Sequence, residues 1–248
     1  MREELLTSER IEDNPTKPTG FGASGGLRFL TMMIYLGCLA VNGVIGEWGP
    51  HNAKEVSDKY KLYVTPPSFT FLIWAAIYLF MTILMVYVTW KNPWPLRSYL
   101  PINVVNIANA VWVGVWSIGT DVSIIACSFI ILLVPIGLLS LWVSLYDPKN
   151  DSYFYYSSRN IIAFYLGWTI AATIINMGIV LVYTMSFTQK EFTIIFWVLV
   201  PLMAIGATVM NTTVQGSNGL KSCVCLWISV LWGLAGALIT TLDNKANL

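Results

Sequence analysis

Pro66-Pro67-Ser68-Phe69-Thr70-Phe71-Leu72-Ile73-Trp74-Ala75-Ala76-Ile77-Tyr78 opens an apolar run, Ser68–Trp90, that contains no charged residue. A stretch of about 20 apolar residues is the length that crosses a ~30 Å hydrocarbon core as a helix. Six other runs have the same character: Arg28–Gly46, Pro101–Ile118, Val122–Tyr146, Asn160–Thr184, Phe192–Val214 and Ser222–Thr241. None has an ionisable residue in its middle. They also lack the period-2 alternation of barrel strands. The expected fold class is therefore all-α, a polytopic transmembrane helical bundle of seven spans within residues 28–241.

Composition agrees with a chain built for lipid. Of 248 residues, 56% are hydrophobic and 11% charged, with a mean hydropathy of +0.65. A soluble domain carries about 25% charged residues, so this supply cannot cover a water-facing surface. The net charge of +1 gives no pull toward nucleic acid. Cys38, Cys127, Cys223 and Cys225 fall in the runs, where a free thiol behaves as a small hydrophobe. Cys223-Val224-Cys225 is too tight for the usual Cys-x-x-Cys metal or redox spacing. Residues 1–27 are polar and then glycine-rich, without the apolar core of a secretory signal; they are expected to form a disordered tail. Residues 242–248 are expected to form a short C-terminal tail.

The longest connection, Glu47–Pro67, holds the one histidine, His51, and the charged cluster Lys54, Glu55, Asp58, Lys59 and Lys61. The remaining connections are short, so successive helices should be antiparallel neighbours. Nine Lys and Arg residues fall on the side of the N-terminus and five on the other, which favours the N-terminus inside. Asn150-Asp151-Ser152 is a formal glycosylation sequon that this topology places inside, and Asn211-Thr212-Thr213 lies too near the membrane for use.

Polar and aromatic residues in the runs are the candidate chemistry. Asn103, Asn106, Asn109, Trp112 and Trp116 recur at spacings of three and four, one drifting stripe on a helix. An unpaired amide facing lipid tails costs several kcal/mol, so the stripe must face other helices or a cavity. Trp74 and Tyr78 are one turn apart, and Trp168, Ala172 and Asn176 share a face. Each of these reads either as structural glue between helices or as a ligand contact. Trp48, Trp90 and Trp94 read as an interfacial aromatic belt. Gly114, Gly167, Ala171 and Gly206 are expected to allow close helix approach. Leu84…Tyr87…Lys91 and Val143…Tyr146…Lys149 fit a sterol-contact pattern that ordinary interfacial anchors also fit. Without Asp, Glu, Lys, Arg or His in mid-membrane, the sequence offers no proton relay or ion pathway, no catalytic triad and no metal cluster. No catalytic residue is assigned.

At these residues the chain resembles the tryptophan-rich sensory protein family (TspO/MBR), also known as the translocator protein or peripheral-type benzodiazepine receptor family. Its second helix opens Pro-Pro with an aromatic–Trp–Tyr series, matched by Pro66, Pro67, Phe71, Trp74 and Tyr78. Its Asn-x-x-Trp is matched by Asn109 and Trp112. Its Tyr-x-x-Trp stretch ending in Ala-Thr-x-x-Asn is matched by Tyr165, Trp168, Ala172, Thr173 and Asn176. Departures are Ser68-Phe69 for Gly-Trp, Ala75 for Thr, and Phe164 for Pro. Familiar members have five spans, so residues 28–184 correspond to the family core and the two helices within 192–241 are additional, as in the family's longer branch.

The resemblance implies a cavity among the first five helices, capped by the first loop, that binds porphyrins, cholesterol or synthetic aromatic ligands. Trp74, Tyr78, Asn109, Trp112, Tyr165, Trp168, Ala172 and Asn176 are its expected ligand-binding residues. The expected function is an integral multi-pass membrane receptor or sensor for a planar hydrophobic ligand of the tetrapyrrole or sterol class. A transporter of a neutral lipid-like solute and a non-catalytic subunit of a membrane complex are the alternatives. Light-dependent porphyrin breakdown enters by resemblance alone. No cofactor is expected beyond a bound porphyrin or sterol. Expected partners are membrane lipid and a hydrophobic small molecule, with self-association as a homodimer left open.

Overall fold

The computed structural model of the protein describes residues 23–91, 94–146, 153–215, 221 and 223–246. Eight α-helices run through them: α1 (Gly25–Trp48), α2 (Ala53–Lys59), α3 (Ile73–Lys91), α4 (Tyr99–Trp116), α5 (Asp121–Ser144), α6 (Tyr153–Thr184), α7 (Gln189–Gln215) and α8 (Val224–Ala246). Short 3-10 turns, Ser68–Leu72 and Leu96–Ser98, lead into α3 and α4. Every helix except α2 belongs to a segment long and apolar enough to span a bilayer, seven in all. The bilayer core has no water to satisfy a free backbone N–H or C=O, so each segment closes its hydrogen bonds on itself as a helix.

The polar loops supply the start signals. Ser24 Oγ accepts from Leu27 N at 3.2 Å at the head of α1. Asn52 with Glu55 forms a capping box before α2, and Thr120 with Ser123 one before α5. Thr188 and Glu191 exchange the same pair of bonds before α7, at 2.8 and 3.2 Å. Between α4 and α5 the chain reverses at Gly119, whose φ of +65° is open to glycine without a Cβ clash.

Helix ends differ from the sequence expectation where flanking residues are polar but helix-compatible. The helix α6 begins at Tyr153 rather than Asn160, which brings Arg159 inside it. At the N-terminal side α1 begins at Gly25, inside the expected tail, whose residues 1–22 lie outside the described residues. Likewise α8 runs on to Ala246, through most of the expected C-terminal tail. Lys149 and the sequon at Asn150 lie outside the described residues.

Five helices close a ring: α1 packs on α3 and α4, α4 on α5, α5 on α6, and α6 on α3. Outside it, α7 packs on α6 and α5, and α8 on α6, α7 and the Ser68–Leu72 turn. The α6–α8 contact is close because a Cβ at Gly167 would fall on Ser229 Oγ and the Leu226 carbonyl. Ala171 sits beside Gly233 in the same seam. Gly114 and Gly206 correct the expectation of close approach, since neither has a neighbour within 4 Å of its Cβ position. Trp94 is also corrected: it is buried against Tyr99, whereas Trp48 and Trp90 are about four-fifths exposed at helix ends.

Candidate functional site

A continuous hydrogen-bond chain crosses the ring. Tyr78 on α3 donates its hydroxyl to Asn42 Oδ1 on α1 at 2.7 Å. Asn42 Nδ2 donates to Asn109 Oδ1 on α4 at 3.2 Å, and Asn109 Nδ2 donates to the Tyr165 hydroxyl on α6. Below Tyr78, the Tyr35 hydroxyl is bonded to the Tyr78 carbonyl at 2.9 Å and to Thr82 Oγ1 at 2.7 Å. A second link joins α4 to α6, where Trp112 Nε1 donates to Asn176 Oδ1 at 3.1 Å. Asn176 is held from its own helix by Nδ2 on the Ala172 carbonyl at 2.9 Å. From α5, Ser128 Oγ donates to the Asn176 carbonyl at 2.8 Å. All five ring helices thus contribute a polar group to one interior zone. Asn109 and Asn176 sit on the helix faces their spacing implied, because an unpaired amide in lipid is costly.

Aromatic rings fill the space beside this network, with Trp74 at their centre. Its indole stacks on Tyr78 at 5.5 Å and on Trp112 at 6.3 Å, with interplanar angles of 23° and 28°. Tyr165 and Trp168 meet it edge-on at 5.8 and 6.3 Å. Trp112 continues to Trp116 at 5.8 Å, and Phe71 meets Trp168 at 5.9 Å. Offset-stacked and edge-to-face arrangements are the preferred ones for aromatic pairs. Asn109, Tyr165, Trp168 and Asn176 are buried, whereas Trp74, Tyr78, Trp112 and Ala172 are half-buried. The Trp168 Nε1 is buried without a hydrogen-bond partner.

All eight residues expected from sequence therefore lie in one zone among α3, α4 and α6. The sequence reading missed Asn42 and Tyr35 on α1. The signal was present: Asn42 is the single amide of that helix, seven residues from Tyr35 and so on the same face. Asn103 and Asn106 face the interior, but each keeps a buried side-chain atom unpaired, Oδ1 and Nδ2 respectively.

The loop between α1 and α3 lies over one end of the ring. His51 N donates to the Ser117 carbonyl, and Lys59 Nζ to the Gly119 carbonyl, at 3.0 and 2.7 Å. The Tyr60 hydroxyl donates to Asp121 Oδ1 at 2.6 Å. Burial, and then the Asp121 hydrogen bond, raises that phenol above its ordinary value. Farther along, the Lys61 carbonyl accepts from Tyr183 and Gln189, and Tyr63 N donates to Gln189 Oε1. Thr241 on α8 donates to the Tyr63 carbonyl at 3.1 Å. The loop is thus tied to the α4–α5 corner, to the α6–α7 corner and to α8.

On the outer side, α8 supports the turn that carries Phe71 toward the rings. Trp232 Nε1 donates to the Thr70 carbonyl at 2.9 Å, and the Trp232 ring meets Phe69 edge-on. Gly233 backs the Trp168 ring. The chemistry available in this zone is neutral: large flat indole and phenol faces, amides and hydroxyls. Among the described residues, no group of three or more His, Cys, Asp or Glu side chains could hold a metal ion.

No curated protein and no solved structure matches the chain. One family model does, that of the TSPO-like protein, over residues 28–246. The match runs from α1 through α8, so the last two helices lie inside the matched unit. With seven apolar helices of spanning length among the described residues, the protein is an integral multi-pass membrane protein, and it belongs to the TSPO-like protein family.

Proposed function

We propose that the protein is a membrane receptor or sensor that binds a planar hydrophobic ligand, of the tetrapyrrole or sterol class, within the five-helix ring. The observation that carries this reading is the five-ring cluster around Trp74, bordered by amides on α1, α4 and α6. Indoles offer large flat contact surfaces at low rotamer cost. Pockets for apolar small molecules combine such walls with a few placed polar groups. Asn109 and Asn176 are fixed by their partners, and Trp168 Nε1 is a donor with no acceptor among the described residues. A carboxylate, carbonyl or hydroxyl on the ligand supplies that acceptor. Half-buried Trp74, Tyr78 and Trp112 are the wall that moves to admit it.

The test is tryptophan fluorescence of the detergent-solubilised protein titrated with protoporphyrin IX, corrected for inner-filter absorption, with cholesterol as competitor. Saturable quenching that weakens in Trp112→Phe and Trp168→Phe is expected. Quenching that rises linearly and is unchanged in both variants means partitioning into detergent and defeats the proposal.

A further inference from the structure

Three arginines stand at the end of the bundle where α1 begins, and two are explained by helix ends. Arg28 Nη1 donates to the Thr89 carbonyl in the last turn of α3 at 2.7 Å. Arg97 donates from Nε to the Ser144 carbonyl and from Nη2 to the Tyr146 carbonyl at the end of α5, at 3.0 and 3.3 Å. Cations at helix C-termini satisfy orphan carbonyls and oppose the macrodipole. The third is different. Arg159 lies six residues into α6, about 9 Å along the helix axis, and is 5% exposed. Its Nη2 donates to Asn211 Oδ1 on α7 at 2.7 Å, and its guanidinium stands over the Tyr146 ring at 5.9 Å. Asn211 is itself oriented by donating Nδ2 to Cys223 Sγ at 3.2 Å. The Arg159 Nε, like that of Arg28, is buried with no hydrogen-bond partner among the described residues. Among the described residues the two ion pairs, His51–Glu55 and Lys54–Asp58, are both in the loop at the opposite end.

A guanidinium is always charged and presents five N–H donors in a planar fork suited to phosphate. Among the described residues, one neutral amide and an aromatic face leave most of that capacity unused in a setting where an uncompensated charge is costly. Basic recesses between transmembrane helices near the membrane surface take phospholipid headgroups. We propose that Arg159, positioned by Asn211 and Tyr146, holds the phosphate of an anionic phospholipid between α5, α6 and α7. The lipid is favoured over free phosphate because Arg159 is buried near the end of a spanning helix, which acyl chains flank and which free phosphate reaches only by losing its hydration.

The full chain, stripped of lipid in detergent, is melted with phosphatidylglycerol, with phosphatidylcholine of the same acyl chains, and with inorganic phosphate; native mass spectrometry counts the lipid retained. Phosphatidylglycerol is expected to raise Tm above phosphatidylcholine and to bind roughly tenfold or more tightly than to Arg159→Gln, the scale of one lost charge-assisted hydrogen bond. Arg159→Lys keeps the charge but loses the fork, so it should fall between the two and serves if the glutamine variant does not fold. Equal shifts from both lipids, or an undiminished phosphatidylglycerol preference in either variant, overturn the proposal. A shift from inorganic phosphate that matches the lipid's overturns the lipid as source.

Discussion

Asn42 on α1 donates to Asn109 on α4 at 3.2 Å, and through this bond the hydroxyls of Tyr78 and Tyr165 are connected across the ring. Both amides use their two polar ends on different helices. Asn109 is fully buried, so its carboxamide has no water to fall back on. The pair sets the spacing of α1, α3, α4 and α6 around the aromatic cluster.

The first prediction follows from that connectivity. Asn42→Leu strands the Tyr78 hydroxyl and the Asn109 carbonyl oxygen, and should destabilise the protein by about 1–3 kcal/mol. Asn109→Leu should cost a similar amount by stranding Tyr165. In the double variant the two losses should fall short of their sum by roughly 0.6 kcal/mol or more, the scale of an interhelical hydrogen bond in a membrane. Unfolding in detergent measures all four proteins; strict additivity would show that the bond contributes nothing.

Trp112→Phe removes the indole donor to Asn176 while keeping a ring in the stack on Trp74. Stability should fall by about 1 kcal/mol. Protoporphyrin binding should weaken more than in Trp90→Phe, because Trp90 is exposed at a helix end and touches none of these rings. Equal binding by the two variants would remove Trp112 from the ligand wall.

The seven spans were legible because bilayer thickness and the scarcity of charge fix them from composition alone. Helix ends were less so. Tyr153 to Arg159 is polar and aromatic rather than apolar, so hydropathy stopped at Asn160 although the backbone stays helical. The interior amides on α4 and α6 were legible from spacing. That Trp112 meets Asn176 depends on how α4 and α6 rotate about their axes, which side chains from α1 and α5 decide and no single helix encodes. Asn42 escaped notice as a lone amide without a repeating partner. The contribution of α8, through Trp232 to the Thr70 carbonyl, joins residues 162 positions apart and leaves no local trace.

Gln189 holds the loop at two points, donating to the Lys61 carbonyl and accepting from Tyr63 N. Gln189→Ala should free this segment and let the backbone at the exposed Lys59 and Lys61 fit into trypsin. Limited proteolysis should then cut the variant several-fold faster within the loop, with little change in global Tm, since Gln189 stands at the outer end of α7 and local opening of a loop need not reach the core. Unchanged cleavage would mean that Tyr183 and Thr241 suffice.

Tyr60 gives the loop a pH dependence. Its phenol titrates above 10.0 because burial, and then the bond to Asp121, favours the neutral form. The associated stability is present below pH 10 and lost as the pH climbs through the raised value. As the pH climbs past 10, Tm should therefore fall more steeply in the wild type than in Tyr60→Phe. Parallel curves would show that this phenol is not what holds the loop.

The seam between α6 and α8 depends on glycine at one place. A Cβ at Gly167 would meet the Leu226 carbonyl, which is backbone and cannot rotate away, as well as Ser229 Oγ. Gly167→Val must move α8 outward, at about 1–3 kcal/mol for an overpacked contact. The same displacement draws Trp232 off the Thr70 carbonyl and Gly233 off Trp168, so the variant should also bind planar ligands less well. Gly206→Ala on α7 is the control: its Cβ meets nothing within 4 Å, and alanine is the better helix former. That variant should melt at or slightly above the wild-type temperature. If Gly167→Val melts and binds like Gly206→Ala, the packing of α8 on α6 does not support the aromatic site.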